Sequence, residues 1–167
     1  MKYVTYGKGN KFDITKLKID LSYTGRGKPK EAWWGSPVNA DYGWKEWCIS
    51  NECCPGKKDT ITVDEYFSDN NKILWDLKKG TKVLMINTIG DLYKYKSKGY
   101  IIYEGIILPD IKDYDWNYKK ILEDGYSAIQ LNDACIGHRF ISRLELMMNT
   151  WDCESIVVLD PSKIVTE

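Results

Sequence analysis

The sequence predicts an α+β fold: a single domain over residues 1–167, built on a strongly bent or split, antiparallel-rich β-sheet with flanking helices. Three observations carry this. The length suits one core, and a 43% hydrophobic, 29% charged composition fills that core while keeping a polar surface. Strand-like and helix-like segments are interspersed, but without the regular strand–helix–strand repeat of a parallel sheet. Internal repeats and low-complexity linkers are absent from the sequence.

In chain order, "YVTYG" (3–7) reads as a short strand ended by glycine. Phe12, Ile14, Leu17 and Ile19 follow in a lysine-rich segment that suits a helical turn or an irregular stretch. "SYTGRGKPK" (22–30) is a loop by its Gly and Pro content, and "EAWWGSP" a strand. Asn39 or Asp41 caps a helix that carries Trp44, Trp47, Cys48 and Asn51 on one face. "TITVDEYF" (60–67) alternates like a strand. "KILWDLKKGTKVLMIN" holds two apolar runs around Lys79-Gly80, as a hairpin or as two separate sheet segments. A short helix is expected at 89–95, an extended segment at "YIIYEGIIL" and a helix at 113–124 closed by Gly125. "YSAIQLN" is a strand. A helix over 137–149 places Phe140, Ile141, Leu144 and Met148 on one stripe, and the last strand runs 155–159.

Charge and cysteine content narrow the function classes. The formal net charge is zero, yet residues 1–30 carry seven Lys and one Arg against two Asp. That basic segment attracts phosphates or is simply a solvated face. Five cysteines, two of them adjacent, favour reduced thiols over a disulfide framework. No apolar run is long enough for a membrane span, and "MKYVTYGKGN" lacks the apolar stretch of a signal peptide. The expected location is therefore the cytoplasm. Cys48, Cys53, Cys54, Cys135 and His138 do not form a Cys-x-x-Cys pair, so no metal is expected. His138, the lone histidine, opens a helix.

The stretch "WDCESIVVLDPSKIV" (151–165) carries the candidate chemistry. Extended backbone puts Asp152, Glu154, Ile156 and Val158 on one face and Cys153, Ser155, Val157 and Leu159 on the other. Both faces become apolar, as in a central strand covered on both sides. The two carboxylates then mark either a cleft at the strand's mouth, suited to holding a sugar hydroxyl and stabilising positive charge, or a solvated strand end. In Trp33-Trp34, beside "GRGKPK", one ring faces inward and the other outward. The outward ring suits a base platform, a nicotinamide or adenine contact, or a partner interface.

"ESIVVLDPSKI" resembles the final segment of ADP-ribosyltransferase domains, and Asp-Cys-Glu is similar to their Glu-x-Glu or Gln-x-Glu pair. "LEDGYSAIQLN" resembles their Gly-Tyr-Asp-Gly-Ile strand, "YVTYGKG" stands in the place of their first strand, and "EAWWGSPVNADYGWKEWC" resembles their Ser-centred strand and following helix. The pairing of "KPKEAWWGSPVNADYGWKEWC" with "WDCESIVVLDP" also resembles small uncharacterised bacteriophage and prophage proteins. The resemblance implies a split β-sandwich with NAD, the substrate, in a cleft. It implies loss of nicotinamide through an oxocarbenium-like state and transfer of ADP-ribose to a host protein or nucleic acid in the host cytoplasm.

Carried over, Glu154 bonds the ribose hydroxyl and Asp152 orients the acceptor. Tyr6 and Gly7 lie by the adenosine, Ser36 supports the glutamate, and Tyr42 stacks on nicotinamide; Trp34, as the outward ring of its pair, is a further cofactor contact by its own position. Gln130 is a second catalytic candidate, at a position where related phage sequences carry Glu. Tyr6 replaces the usual first-strand Arg or His, and Ser155 rather than Glu154 falls in the glutamate register of some family members. A one-residue shift turns a side chain to the opposite face; a bulge restores it. Two other functions remain open: a catalytically degenerate scaffold that binds and inhibits a host protein or nuclease complex in the manner of an anti-CRISPR, and a nucleic-acid-binding module built on Trp34 and the basic loop.

Overall fold

The computed structural model describes residues 1–7, 13, 16–23, 28–52, 61–108, 111–138 and 141–166. Phe12, Ile14, Cys53, Cys54 and Phe140, together with the side chain of His138, lie outside the described residues.

The strands in chain order are β1 (Lys2–Tyr6), β2 (Asp20–Tyr23), β3 (Pro29–Glu31), β4 (Trp33–Pro37), β5 (Lys72–Leu77), β6 (Lys82–Ile86), β7 (Ile101–Leu108), β8 (Ile111–Trp116), β9 (Tyr126–Leu131), β10 (Ser155–Val158) and β11 (Ile164–Thr166). The α-helices are α1 (Trp44–Ser50), α2 (Val63–Tyr66), α3 (Ile89–Ser97), α4 (Tyr118–Glu123) and α5 (Arg143–Leu146). Seven strands form one sheet in the order β11-β5-β1-β4-β10-β9-β6, and β2-β3 and β7-β8 form two ribbons. Within the large sheet only β6 and β9 run parallel. The fold is thus α+β, one large sheet with a few helices.

The sheet has two halves that meet at β4. Trp33, Trp34 and Gly35 pair with β10, whereas Ser36 and Pro37 pair with Val4 and Tyr3 of β1. The β1–β4 ladder stops at Val4–Ser36, although β1 continues to Tyr6 along β5. Past that point the halves are joined by side chains. The Thr5 hydroxyl donates to the Trp34 carbonyl at 2.6 Å and accepts from the Trp75 indole N–H at 3.0 Å.

Strand β10 is central, and its residues are buried on both faces. Val157 packs into the larger core with Ile129, Leu131, Met148 and Trp151. Ile156 and Val158 enter the second core with Tyr3, Trp33 and Trp75. Gly35 lies close against β1 and the Trp75 ring. A Cβ there would come within 2.7 Å of the Trp75 ring and 3.0 Å of the Val4 carbonyl oxygen. Gly35→Ala is therefore expected to lower unfolding free energy by about 1–3 kcal/mol, the usual cost of overpacking, as read by urea denaturation. Gly7, at φ +80°, ends β1 against the Tyr66 ring, which leaves no room for a side chain.

Several segments depart from expectation for local reasons. "TITVDEYF" contains helix α2, because Thr62 and Glu65 form a capping box: the Thr62 hydroxyl accepts from Glu65 N at 3.2 Å, and the Glu65 carboxylate accepts from Thr62 N at 2.9 Å. The expected helix at 113–124 is strand β8 followed by the shorter α4, which starts where the Asn117 side chain accepts from Lys120 N. The expected helix at 137–149 is a 3₁₀ turn (Ala134–His138) and then α5, restarted by a Ser142 cap. Leu144 and Met148 of its stripe are buried, but Ile141 is 81% exposed. Strands β2 and β3 begin and end the segment expected to be a loop at 22–30. Of the two arrangements expected for 72–87, the separate sheet segments hold and the hairpin does not: β5 and β6 lie in opposite halves of the sheet. Among the described residues no helix is long and apolar enough to cross a membrane.

Candidate functional site

Where the β1–β4 ladder opens, a cavity of about 330 Å³ enters the sheet. Alternation along the strands gives its walls. Val4, Tyr6, Trp34 and Ser36 come from one face, while Thr5, Trp33 and Gly35 come from the other, so the cavity passes between strands instead of lying on them. Leu17, Lys28, Ala32, Trp44 and the segment Thr150–Cys153 with Ser155 complete it. The volume falls in the range of small-molecule sites, which are apolar with a few polar groups.

The aromatic walls are held by neighbouring rings. Trp34 meets Trp151 edge to face at 4.9 Å, Trp44 stacks on Trp47 at 5.0 Å, and Tyr6 packs edge-on against Phe67. Of the adjacent tryptophans, Trp33 is fully buried and Trp34 half-buried, as strand alternation requires. The Lys28 ammonium stands 5.3 Å from the Trp34 ring centroid, a cation–π distance.

Polar groups line part of the cavity. Lys28 lies within electrostatic reach of Asp152 and Cys153; burial pulls its ammonium pKa down, and the Asp152 charge opposes that shift. Burial pushes the Cys153 thiol up to about 12, with Lys28 only partly offsetting it. Cys153 is therefore a protonated thiol near neutral pH and a poor nucleophile. Burial also raises the Tyr6 phenol, against the pull of Lys72. Ser36 is buried, and its hydroxyl accepts from Trp44 N at 2.9 Å, which ties β4 to the start of α1.

The structure thus assembles Tyr6, Trp34, Ser36 and Asp152 around one cavity. It does not bring the other candidates into its lining. A bend at Cys153–Glu154 precedes β10, so Asp152, Cys153 and Ser155 line the cavity while Glu154 turns aside. The Glu154 carboxylate accepts from Tyr42 N at 3.1 Å, and Glu154 N donates to Tyr42 O at 2.9 Å. Tyr42 lies in the turn just before α1 and Gly7 just past the end of β1, both outside the lining. Gln130 pairs with Ile156 on β9, beyond β10 from the gap and outside the lining, where it is buried and accepts from the Tyr3 hydroxyl at 2.8 Å.

Sequence reasoning missed Lys28, Thr5, Trp44 and Trp151 as wall residues. Trp44 falls on the expected helical stripe and Lys28 in the expected loop before β4; the one sequence signal for the latter is the proximity of the basic "GRGKPK" to Trp34. Among the described residues no group of three or more His, Cys, Asp or Glu side chains is placed to hold a metal ion. No family model, curated protein or solved structure matches this chain.

Proposed function

We propose that the cavity at the split in the sheet binds NAD and that the chain transfers ADP-ribose from it to a host macromolecule, as a phage or mobile-element protein acting in counter-defence or as a toxin. One observation carries the proposal: Tyr6, Trp34, Ser36 and Asp152, singled out from separate sequence motifs, line a single aromatic-walled cavity. The half-buried Trp34 and Trp44 rings suit a planar base. Lys28 suits an anionic group, and Asp152 is the carboxylate available to an acceptor or a ribose hydroxyl.

Labelled NAD incubated with the full chain and host lysate tests this. Transferred label is expected, with calorimetry showing NAD binding. Asp152→Asn should keep the binding and lower transfer by roughly a hundredfold or more, the usual scale for losing a general base. Absence of NAD binding at millimolar concentration would overturn the proposal.

A second function is favoured by one observation, the engagement of the Glu154 carboxylate with Tyr42 outside the cavity. A scaffold that inhibits a host protein or nuclease complex by binding would form its complex without NAD, and Asp152→Asn would leave that complex intact.

A further inference from the structure

Glu154 supplies the two longest-range ties of the turn that precedes α1. We propose that Glu154 is a positioning residue, clamping the Tyr42–Gly43 turn so that Trp44 stands as one wall of the cavity. The consequence for ligand binding rests on the proposed function above; the clamp itself does not.

The turn is held from two sides. Glu154 N donates to Tyr42 O at 2.9 Å, and Tyr42 N donates to Glu154 Oε1 at 3.1 Å, a reciprocal pair across more than a hundred residues of chain. From the other side, Trp44 N donates to the Ser36 hydroxyl. Gly43, between them, is buried close against β4, where an added Cβ would stand 3.2 Å from Ser36 Cβ. Trp44 follows directly, lining the cavity and stacking on Trp47 with 10° between the ring planes. The bend that carries Asp152 and Cys153 into the cavity is therefore bonded to the turn that carries Trp44 there.

The chemistry of the clamp makes it separable from catalysis. Tyr42 N–H needs an acceptor oxygen, not a charge. A glutamine offers the same Oε1 in the same place, whereas alanine offers none. A glutamate that worked through its charge would fail in Glu154→Gln; a positioning acceptor survives there and fails in Glu154→Ala.

The test is near-ultraviolet circular dichroism of the purified full chain beside NAD titration. Trp47→Phe, made in each background, identifies the signal of the stacked Trp44–Trp47 pair. Glu154→Gln is expected to keep that signal and to bind NAD within about twofold of the parent, and Glu154→Ala to lose the signal and bind about tenfold more weakly. Loss of the signal in Glu154→Gln, or its retention in Glu154→Ala, would overturn the inference. Should Glu154→Ala fail to fold, Glu154→Gln decides alone: a retained signal supports the clamp and a lost one removes it. If the dichroism follows expectation while no form binds NAD, the clamp stands and the proposed function falls.

Discussion

Asp115→Asn is expected to stabilise the protein at alkaline pH and to remove much of a pH slope that the parent shows from about pH 4 to about pH 7. Asp115 is only 5% exposed on β8, and its Oδ1 has no hydrogen-bond partner. Burial raises its carboxyl to about 7, and a hydrogen bond from the Trp116 backbone opposes that only in part. Burial likewise drives the neighbouring Tyr118 phenol well above its ordinary value, reinforced by the Asp115 charge.

The direction follows from linkage. Between the unfolded and folded values the native state holds a proton that the unfolded state has released, so unfolding free energy falls as pH rises through this window and levels off above it. A shift of about three units corresponds to on the order of 4 kcal/mol. Asparagine keeps the shape and never ionises, so parent and variant should be closest near pH 4 and diverge by on the order of 3 kcal/mol near pH 8. Urea unfolding at both pH values measures this; parallel pH dependences would show that Asp115 is not the titrating group. Asp20, Glu65, Asp69 and Asp124 are also shifted, each downward by hydrogen bonds, but they are common to both proteins and cancel in the difference.

Local signals revealed the strands better than they revealed the site. Short apolar runs ended by turn residues exposed β1 and β4, while the one segment that alternates, "TITVDEYF", holds helix α2; the two-faced apolar run at 155–158 identified a central strand because only a strand covered on both sides needs that pattern. Helix α5 was overextended because its apolar stripe runs on while Ser142 restarts the chain; the cap, not the stripe, sets the start. The front of the expected helix at 113–124 follows β7 instead, where Tyr103 and Tyr114 pack edge to face across the ribbon. Cross-strand pairing of that kind has no local signature. Strand alternation made Trp34 legible as the outward ring of its pair, whereas Tyr6 and Ser36 were legible only through the motifs that resemble a known family, and all three line the cavity. Alternation carried back from β10 mispairs Asp152 and Glu154, since the bend at Cys153–Glu154 brings Asp152 into the cavity beside Cys153 and Ser155. Gln130 lies outside the cavity because β9 is separated from the β1–β4 gap by β10, a placement set by long-range pairing with no local signal.

Thr5→Val should produce the other large effect, because one hydroxyl serves both halves of the sheet. Valine matches the shape of threonine but neither donates nor accepts. The substitution would leave the Trp34 carbonyl without the 2.6 Å donor it now has, and the Trp75 indole N–H without its acceptor. Trp75 is 1% exposed and packs against Tyr3 and Trp33, so its N–H is held away from bulk water. Each buried group left unpaired costs about 1–3 kcal/mol, which gives about 3 kcal/mol for the pair even if the Trp34 carbonyl gains water from the cavity. For a domain of this size that lowers the melting temperature by roughly 10 °C. Thr5→Ser retains the hydroxyl and loses one methyl, so its cost should be about 1 kcal/mol. Thermal denaturation of the two variants separates hydroxyl from packing: if serine and valine cost the same, the methyl matters and the bridge does not. The valine variant should also weaken ligand binding in the cavity more than the serine one, since the same hydroxyl spans the gap from which the cavity opens.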